Sequence, residues 1–556
     1  MNIFHLFKSE QQGVHAAALL LALASVVNAL LALLRDRLLA GQFGASAELD
    51  IYYAAFRVPD IIYAFALLFV ASTAFIPVFL EHRQQSSSSA KELLDAAFTS
   101  FFLAVGLLVF MAYLLLPFVI PYTVPGFDAE SRTTVLKLAS VLLLSPLLLG
   151  LSNLVAGVIQ SFKRFFIYAL SPVFYNIGII IGILFFLPRF GLTGLVWGVI
   201  LGAFMHFLIQ VPSLITLGYF PFFNKVFKKG VGKIIRLSFP RALALSFHQL
   251  TFFAITAIAS TLGAGAIAVF QLSYNLQSLP LAIVGLSYSV AAFPTLSELS
   301  LAKERSMFFR QFTSVVRHIL FWTVPISFLF IVLRAHIVRV VLGSGAFDWI
   351  DTRLTAASLL LFSFGIVAQS LIHFFVRSYY ALGRTREPVM YNFFGFALIV
   401  LFSVAFLYMA NTFPLLKHFF MSLLRVEDLR GVGILVLPLA YVLGTTVNAF
   451  LLIYSLWHTD KGEEKWELRR AFREIFGAGM VMAVVTFIML RVFASFLNIN
   501  TFFGVLLHGL LSGTIGIVAG IWLLKHMRNR EMEEVIGAFK SRFWRKKPLQ
   551  PETEHL

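Results

Sequence analysis

The segment LRDRLLAGQFGASAELD (residues 34–50), followed by Phe56-Arg57-Val58-Pro59, places six charged residues in or beside the first two strongly apolar segments of the chain. A charged side chain near the centre of a bilayer costs at least ~2.5 to 3.5 kcal/mol on insertion scales. Ionisable residues inside spanning helices therefore usually face a water-filled cavity, an ion or a substrate. We expect the first two helices to line a pathway through a membrane.

Composition defines the class of protein. Of 556 residues, 59% are hydrophobic and 13% are charged, and the mean hydropathy is +0.87. A chain of this length with so few polar residues cannot cover its surface as a soluble protein would. We therefore predict an all-α polytopic membrane protein. The absence of cysteine excludes disulfides, thiolate catalysis and cysteine metal sites. The apolar run at 14–40 is longer than a signal-peptide core, so we expect a retained helix.

The basic residues lie in alternate loops. A net charge of +17 suggests nucleic-acid binding in a soluble protein, but here the cations flank the predicted helices. Basic clusters occur at 163–164, 225–236, 303–310, 384–386, 465–473 and 525–547, whereas the loops at 41–50, 121–130, 262–266 and 343–351 contain no basic residue. By the positive-inside rule, both termini and all basic loops are cytoplasmic. We expect these cations to contact anionic membrane lipids. We do not expect nucleic acid to be a partner.

Apolar segments of about 20 or more residues predict about fourteen spanning helices. They lie near 14–40, 50–80, 93–119, 133–160, 166–187, 192–216, 237–261, 267–298, 312–342, 353–381, 388–410, 431–457, 472–496 and 501–525. An even number agrees with both termini lying on one side of the membrane. The segment 411–430 has apolar residues on one side and is expected to form an amphipathic helix at the membrane surface.

The chain also repeats itself at an offset of 216 to 219 residues. Phe43–Ala47 recurs as Leu262–Ala266, and Pro172–Asn176 recurs as Pro388–Asn392. The offset spans six predicted helices, so both copies have the same orientation, as in transporters built from parallel repeats. We expect two six-helix lobes plus two C-terminal helices. The predicted divisions are an N-terminal lobe at 1–220, a second lobe at 221–411, a linker helix and helix twelve at 412–457, two extra helices at 458–527 and a basic cytoplasmic tail at 528–556.

Several motifs together resemble the MurJ (MviN) family of lipid II flippases. They are Arg35-Asp36, Phe43-Gly44-Ala45, Asp50, Val58-Pro59, Phe75-Ile76-Pro77-Val78, Pro125-Gly126-Phe127, Gly345-Ala346-Phe347 and Tyr380-Ala381-Leu382-Gly383-Arg384-Thr385. The resemblance runs over residues 14–410, and helix count and topology extend it to about 525. It implies the fold of the multidrug/oligosaccharidyl-lipid/polysaccharide (MOP) exporter superfamily, with two lobes around a V-shaped cavity and a lipid-facing groove formed by two extra helices.

The resemblance also implies an activity. Lipid II, an undecaprenyl-pyrophosphate-linked disaccharide pentapeptide, would move from the cytoplasmic to the outer leaflet of the bacterial inner membrane for peptidoglycan synthesis. No enzyme chemistry and no cofactor are implied, and contacts with cell-wall synthesis proteins stay open. The family's cavity has arginines at positions where this chain has Ala29, Tyr63 and Asn275, and an acidic residue where it has Leu68.

Candidate site residues lie on the first two helices. A diphosphate head group needs cations, and arginine suits phosphate because its planar guanidinium donates paired hydrogen bonds. Arg35 and Arg57 are the predicted substrate cations, and Asp50 is expected to position one of them; alternatively, Asp50 and an arginine form a structural ion pair that closes the outer gate. Asn28 and Arg35 share a face of helix one. Asp50, Tyr53 and Arg57 share a face of helix two and can lie opposite them.

Further candidates lie on the seventh and eighth helices. Arg241 and Gln249 lie along helix seven, and Arg241 can supply the charge that is missing at Asn275 on helix eight. A position near the cytoplasmic interface is the alternative explanation for Arg241. His248 is expected to be a packing residue rather than a proton carrier.

Two other sets of polar residues have structural explanations. Asp36 and Arg37 are expected to pair with each other or to reach the outer interface. Asn176 and Asn392 follow prolines at equivalent points of the two lobes, which predicts helix-starting prolines and amides that hydrogen-bond between helices. The sequence shows no metal site, P-loop, nucleophile or acid–base group.

Other functions stay open beside lipid II transport. The missing arginines permit a flippase for another polyprenyl-diphosphate glycolipid. A third function, from a different class, is a non-transporting membrane scaffold for cell-envelope enzymes. A cation-coupled drug exporter is disfavoured because it needs a carboxylate-rich cavity.

Overall fold

The computed structural model describes residues 14–543, except 71, 224–228, 430 and 461–467. Every regular element of this part is helical. The α-helices are Val14–Phe43, Ala47–Ala55, Arg57–Val70, Ser72–Gln85, Ser87–Thr123, Ala129–Leu142, Leu144–Ser161, Phe165–Ile181, Leu187–Leu208, Val211–Leu217, Lys229–Ser260, Ala266–Pro280, Ser287–Leu301, Arg305–Val341, Trp349–Ser363, Ile366–Ala381, Arg386–Thr412, Pro414–Leu424, Val436–Asp460, Leu468–Phe493, Phe502–His526 and Arg530–Phe543. Two π-helical segments, Gly182–Phe186 and Leu281–Leu286, and the 3-10 helix Val432–Leu435 complete the set.

The fold confirms the prediction of an all-α, multi-pass membrane protein. Within the described residues, 11 helical stretches are long and apolar enough to cross a membrane. A twelfth crossing results if Trp349–Ser363 and Ile366–Ala381, which are bent by 48° from each other, form one span. The count of fourteen stays a prediction.

One of these stretches, Phe165–Leu217, is a hairpin with two helical arms, and the short helix Val211–Leu217 follows the second arm. The chain reverses at Gly191, whose φ of 59° and ψ of −149° are not helical. A Cβ atom on Gly178 would lie 2.2 Å from the Cα of Gly202, and one on Gly182 would lie 2.5 Å from the Cα of Gly198. Because glycines face glycines, the two arms pack with their backbones in close contact. The hairpin contains both spans that the sequence predicts at 166–187 and 192–216.

Some predicted single spans are interrupted. The span predicted near 50–80 consists of Ala47–Ala55, Arg57–Val70 and Ser72–Gln85. The span near 267–298 contains the π-helical segment Leu281–Leu286, which directly follows Pro280. Proline has no N–H to donate, so a local widening of the helix is expected there.

The chain divides into two compact units. The first comprises 1–279, 337–365 and 383–454, and the second comprises 280–336, 366–382 and 455–556. A buried cluster of the first unit includes Phe75 and Phe79, whose ring centroids stack 5.5 Å apart. In the second unit the buried Phe312 ring stacks on Phe374 at 5.1 Å. The lobe boundaries predicted from the repeat stay a prediction.

Candidate functional site

A continuous chain of hydrogen bonds in the first unit joins Arg35 to Arg57. Arg35 donates from Nε and Nη2 to Asp36 Oδ1, at 2.9 and 2.8 Å. Asp36 Oδ2 accepts from Asn275 Nδ2 at 3.0 Å, and Asn275 Oδ1 accepts from Gln271 Nε2 at 2.9 Å. Arg57 Nη2 then donates to Gln271 Oε1 at 2.7 Å. The two predicted substrate cations thus belong to one connected set of side chains.

The chain continues from Arg35 on the other side. Arg35 Nη1 donates to Asn176 Oδ1 at 3.0 Å, and Asn176 Nδ2 donates to Asn28 Oδ1 at 2.9 Å. Asn28 and Arg35 therefore face the same neighbouring helix, Phe165–Ile181, as their spacing predicts. The prediction that Asn176 forms an interhelical amide contact is confirmed. The prediction that Pro172 starts this helix is wrong, because Pro172 lies inside it.

The arginines are balanced by carboxylates. The Arg57 side chain is 7% exposed, lies 5.4 Å from the centre of the Phe252 ring and has its Nη1 4.0 Å from Asp60 Oδ2. We refer to the following residues as the arginine network: Asn28, Asn176, Arg35, Asp36, Asn275, Gln271, Arg57 and Asp60. The network contains two arginines and two aspartates. With all four ionised it carries no net charge, and the buried Nε of Arg57 is a donor without a hydrogen-bond partner in the described part of the chain.

Asp50 has a different role from the one predicted. Its side chain is fully buried, with Oδ2 accepting from the Gly265 N–H and Oδ1 from the Ala268 N–H, both at 2.7 Å. The carboxylate therefore binds the N-terminus of helix Ala266–Pro280, where free N–H groups and the helix dipole favour an anion. The prediction that Asp50 positions an arginine is wrong, and no ion pair found among the described residues joins it to one.

The contact at Asp50 requires a glycine opposite. Gly265 has a φ of +84°, and a Cβ atom there would lie 2.1 Å from the Ala45 carbonyl oxygen. Only glycine accommodates both the positive φ and this approach. The repeated Gly-Ala motifs noted in the sequence thus include a point where two loops touch through their backbones.

Further contacts join loops that the sequence predicts to lie on the outer side. The Ala346 N–H donates to the Gly41 carbonyl at 2.8 Å. The Ala45 N–H donates to Asp351 Oδ2 at 2.9 Å. The Gly126 N–H donates to Ser260 Oγ at 3.1 Å. Together with Asp50, these contacts join the loops that the sequence predicts to lie on the outer side of the first unit.

The predicted faces of helices one and two are connected through a third helix, Ala266–Pro280. Phe56 separates helix Ala47–Ala55 from helix Arg57–Val70. Asp50 and Arg57 both contact helix Ala266–Pro280 or its start, and the link to Arg35 passes through amides of that helix.

Tyr53 remains a candidate, because its buried hydroxyl has no hydrogen-bond partner in the described part of the chain. Gln249 is half-buried, and the described contacts give it no hydrogen bond. The side chain of Arg241 lies outside what the structure describes. His248 is exposed and its ring lies 5.0 Å from the Phe252 ring, and its expected packing role stays a prediction.

The expected pairing of Asp36 with Arg37 is wrong. Asp36 pairs with Arg35, while Arg37 Nη1 donates to the Val340 carbonyl at 2.7 Å. Gln271 is not among the site residues predicted from the sequence, although it lies four residues, about one helical turn, before Asn275. That spacing is the one signal that could have identified it. At the family arginine position occupied by Tyr63, the hydroxyl accepts from Asn153 Nδ2 at 2.7 Å and lies outside the network.

The described residues contain no group of three or more potential metal-binding His, Cys, Asp or Glu side chains. The arginine network offers guanidinium and amide donors instead. Such a set binds anions through hydrogen bonds and has no nucleophile paired with a base.

Comparison with known proteins agrees with this chemistry. A family model described as lipid II flippase MurJ matches residues 39–507. A probable lipid II flippase MurJ of Borreliella burgdorferi is 24% identical over 505 residues, covering 88% of this chain and 97% of the relative. A probable lipid II flippase MurJ of Thermotoga maritima is 27% identical over 367 residues, covering 66% and 74%.

Solved structures show the same fold. A lipid II flippase MurJ in an inward closed conformation matches with a TM-score of 0.71 and 21% identity, covering 92% of this chain and 100% of that one. An inward-facing MATE transporter of the MOP superfamily matches with a TM-score of 0.63 and 14% identity, covering 79% and 96%. Because the family model spans most of the sequence, this chain belongs to the MurJ family of lipid II flippases.

Proposed function

We propose that this chain moves lipid II from the inner to the outer leaflet of the bacterial plasma membrane by alternating access, without covalent chemistry or a cofactor. The arginine network is the observation that supports this proposal. It places two arginines from separate helices within one hydrogen-bonded set. A diphosphate has several acceptor oxygens and can bridge two such cations.

Cargo binding in this site exchanges some partners and also uses a donor that is free. Asp36 occupies two donors of Arg35, and Gln271 occupies one donor of Arg57. The buried Nε of Arg57 has no hydrogen-bond partner in the described part of the chain. The diphosphate gains charge-assisted hydrogen bonds of ~1.5 to 3 kcal/mol each, and the bonds that the network gives up offset part of this gain.

The two ends of the first unit are closed by bonds of different strength. At the proposed outer end, the fully buried Asp50 carboxylate binds two backbone N–H groups. At the proposed cytoplasmic end, Lys233 Nζ lies 2.6 Å from Glu81 Oε2, and both side chains are about half exposed. An exposed ion pair is screened by water and salt and contributes little. Val231 and Ile234, on the same helix as Lys233, are buried in an apolar cluster with Phe79 and Leu93, so opening this end requires breaking that packing as well as the ion pair.

The membrane potential can drive the cargo outward. An inside-negative potential of about 100 mV favours the exit of each negative charge by ~2.3 kcal/mol, or ~4.6 kcal/mol for a diphosphate with two charges. The empty arginine network carries no net charge when its four charged groups are ionised. The cargo therefore carries most of the charge that the field acts on.

Orientation follows from the basic loops, with both termini in the cytoplasm and anionic lipids around the basic clusters. A reporter fused after Arg236 should be cytoplasmic, and one inserted at Ser344 should be external. A reversed result at either position would contradict the orientation.

Complementation tests the function. Expression of this chain in a strain depleted of its lipid II flippase should restore growth and the appearance of lipid II in the outer leaflet, measured with a periplasmic probe. Normal membrane insertion without transport of lipid II would contradict the proposal. Transport of a different polyprenyl-diphosphate glycolipid in vesicles would then assign that substrate, and no transport of either would favour a scaffold.

A further inference from the structure

Helix Pro414–Leu424 presents an apolar stripe that the protein leaves uncovered. Leu415, Phe419 and Leu423 are 87%, 61% and 64% exposed. Their spacing of four residues puts all three on one side of the helix. Apolar side chains of this size gain free energy when they are removed from water. Three such residues side by side therefore indicate a binding surface rather than scattered exposure.

The helix is fixed at the boundary of two candidate membrane spans. It begins two residues after the end of Arg386–Thr412 and precedes Val432–His458 in the chain. A helix directly joined to the end of a span lies near the level where that span leaves the hydrocarbon. The stripe is thus close to the acyl chains without being long enough to cross them.

Hydrogen bonds hold the end of this helix in place. Arg353 donates from Nη1 and Nη2 to the two carboxylate oxygens of Asp428 at 2.6 and 2.7 Å, and from Nη2 to the Arg425 carbonyl at 2.6 Å. Val426, directly after the helix, is 1% exposed. The stripe is therefore presented by an anchored helix.

The charges of the segment indicate which partner covers the stripe. Lys417 lies on the opposite side of the helix from Phe419, and His418 and Arg425 are also basic. No acidic residue occurs between Glu387 and Glu427. Basic residues beside an apolar face match a bilayer surface, where phosphate groups lie above the acyl chains.

We propose that helix Pro414–Leu424 binds the membrane surface, with Leu415, Phe419 and Leu423 at the boundary of the acyl chains and Lys417 on the aqueous side. Membrane contact by this helix requires neither transport activity nor one particular leaflet. It assigns a membrane anchor to the connection between the spans Arg386–Thr412 and Val432–His458.

Single-cysteine spin labelling tests the proposal cleanly, because the chain contains no cysteine. Phe419→Cys and Lys417→Cys are labelled with a nitroxide and reconstituted in liposomes that contain anionic phospholipid. Collisions with oxygen, which concentrates in lipid, are compared with collisions with a water-soluble nickel chelate. Leu301→Cys provides the aqueous reference. Leu301 is 84% exposed at the end of its helix, and the charged residues Lys303 and Glu304 follow it closely.

The oxygen-to-nickel accessibility ratio should be several-fold higher at 419 than at 417, and 417 should resemble 301. Equal, water-like ratios at 419 and 417 would refute the proposal. An immobilised label at 419 that neither reagent reaches would also refute it, because a protein partner would then cover the stripe. Labels at Leu415→Cys and Leu423→Cys should repeat the result at 419, which guards against a local effect of one substitution.

Discussion

Replacing Asn275 with arginine places a third guanidinium in the arginine network. Asn275 Nδ2 already donates to Asp36 Oδ2 at 3.0 Å, so an arginine at this position has an acceptor available. Gln271 Nε2 loses the acceptor that it has now at 2.9 Å. The substitution therefore changes the charge of the network from balanced to positive, while Asp36 keeps a hydrogen-bond donor.

The expected magnitude follows from these contacts. One additional charge-assisted hydrogen bond to the diphosphate is worth ~1.5 to 3 kcal/mol, which corresponds to about a tenfold to hundredfold lower Kd. The loss of the Gln271 bond should cost about 0.5 to 1.5 kcal/mol of stability. Gln271 is only partly buried, so water can replace the lost acceptor.

Native mass spectrometry of lipid II bound to wild type and to Asn275→Arg measures the change. Leu301→Arg is the matched control, because it adds the same charge at an exposed position that is not part of the network. Tighter binding in Asn275→Arg alone would support diphosphate recognition by the network. Equal tightening in both variants would indicate general electrostatic attraction, and no binding to either wild type or Asn275→Arg would refute the reasoning.

Other substitutions test the remaining parts of the site. Arg35→Ala and Arg57→Ala should each reduce outer-leaflet lipid II while the protein remains inserted; full activity of the double variant would exclude both from the site. Asp50→Asn should lower the free energy of unfolding by about 1.5 to 3 kcal/mol, since one charge-assisted bond to a helix N-terminus is lost; an unchanged thermal unfolding midpoint would contradict this role. Hydrogen bonds from Arg353 hold the pKa of the Asp428 carboxyl below its ordinary value. Stabilisation by this pair is therefore present at neutral pH and lost as the pH falls through that lowered pKa. Proteolysis of the Asp428 loop should increase over that range, and a pH-independent rate would contradict the pairing.

Much of this protein could be predicted from local sequence. Long apolar runs predict membrane helices because transfer into hydrocarbon depends mainly on the composition of each segment. The resemblance to the MurJ family also comes from the sequence alone, as does the replacement of a family arginine by Asn275. Arg35 and Arg57 are predictable because charged side chains are costly in a membrane unless they have a function or a partner, and Asn28 is predictable because its seven-residue spacing puts it on the same helix face as Arg35.

The identity of each partner was decided only by the tertiary structure. Asp36 binds Arg35 and Asn275 rather than Arg37, and Asp50 binds a helix N-terminus rather than an arginine. The bonds from Arg35 to Asn176, from Arg57 to Gln271 and from Asn275 to Asp36 join residues that are 141, 214 and 239 positions apart. The composition of a segment determines whether it enters the membrane. A hydrogen bond also needs two atoms within about 3 Å and correctly oriented, which only the packing of distant helices determines.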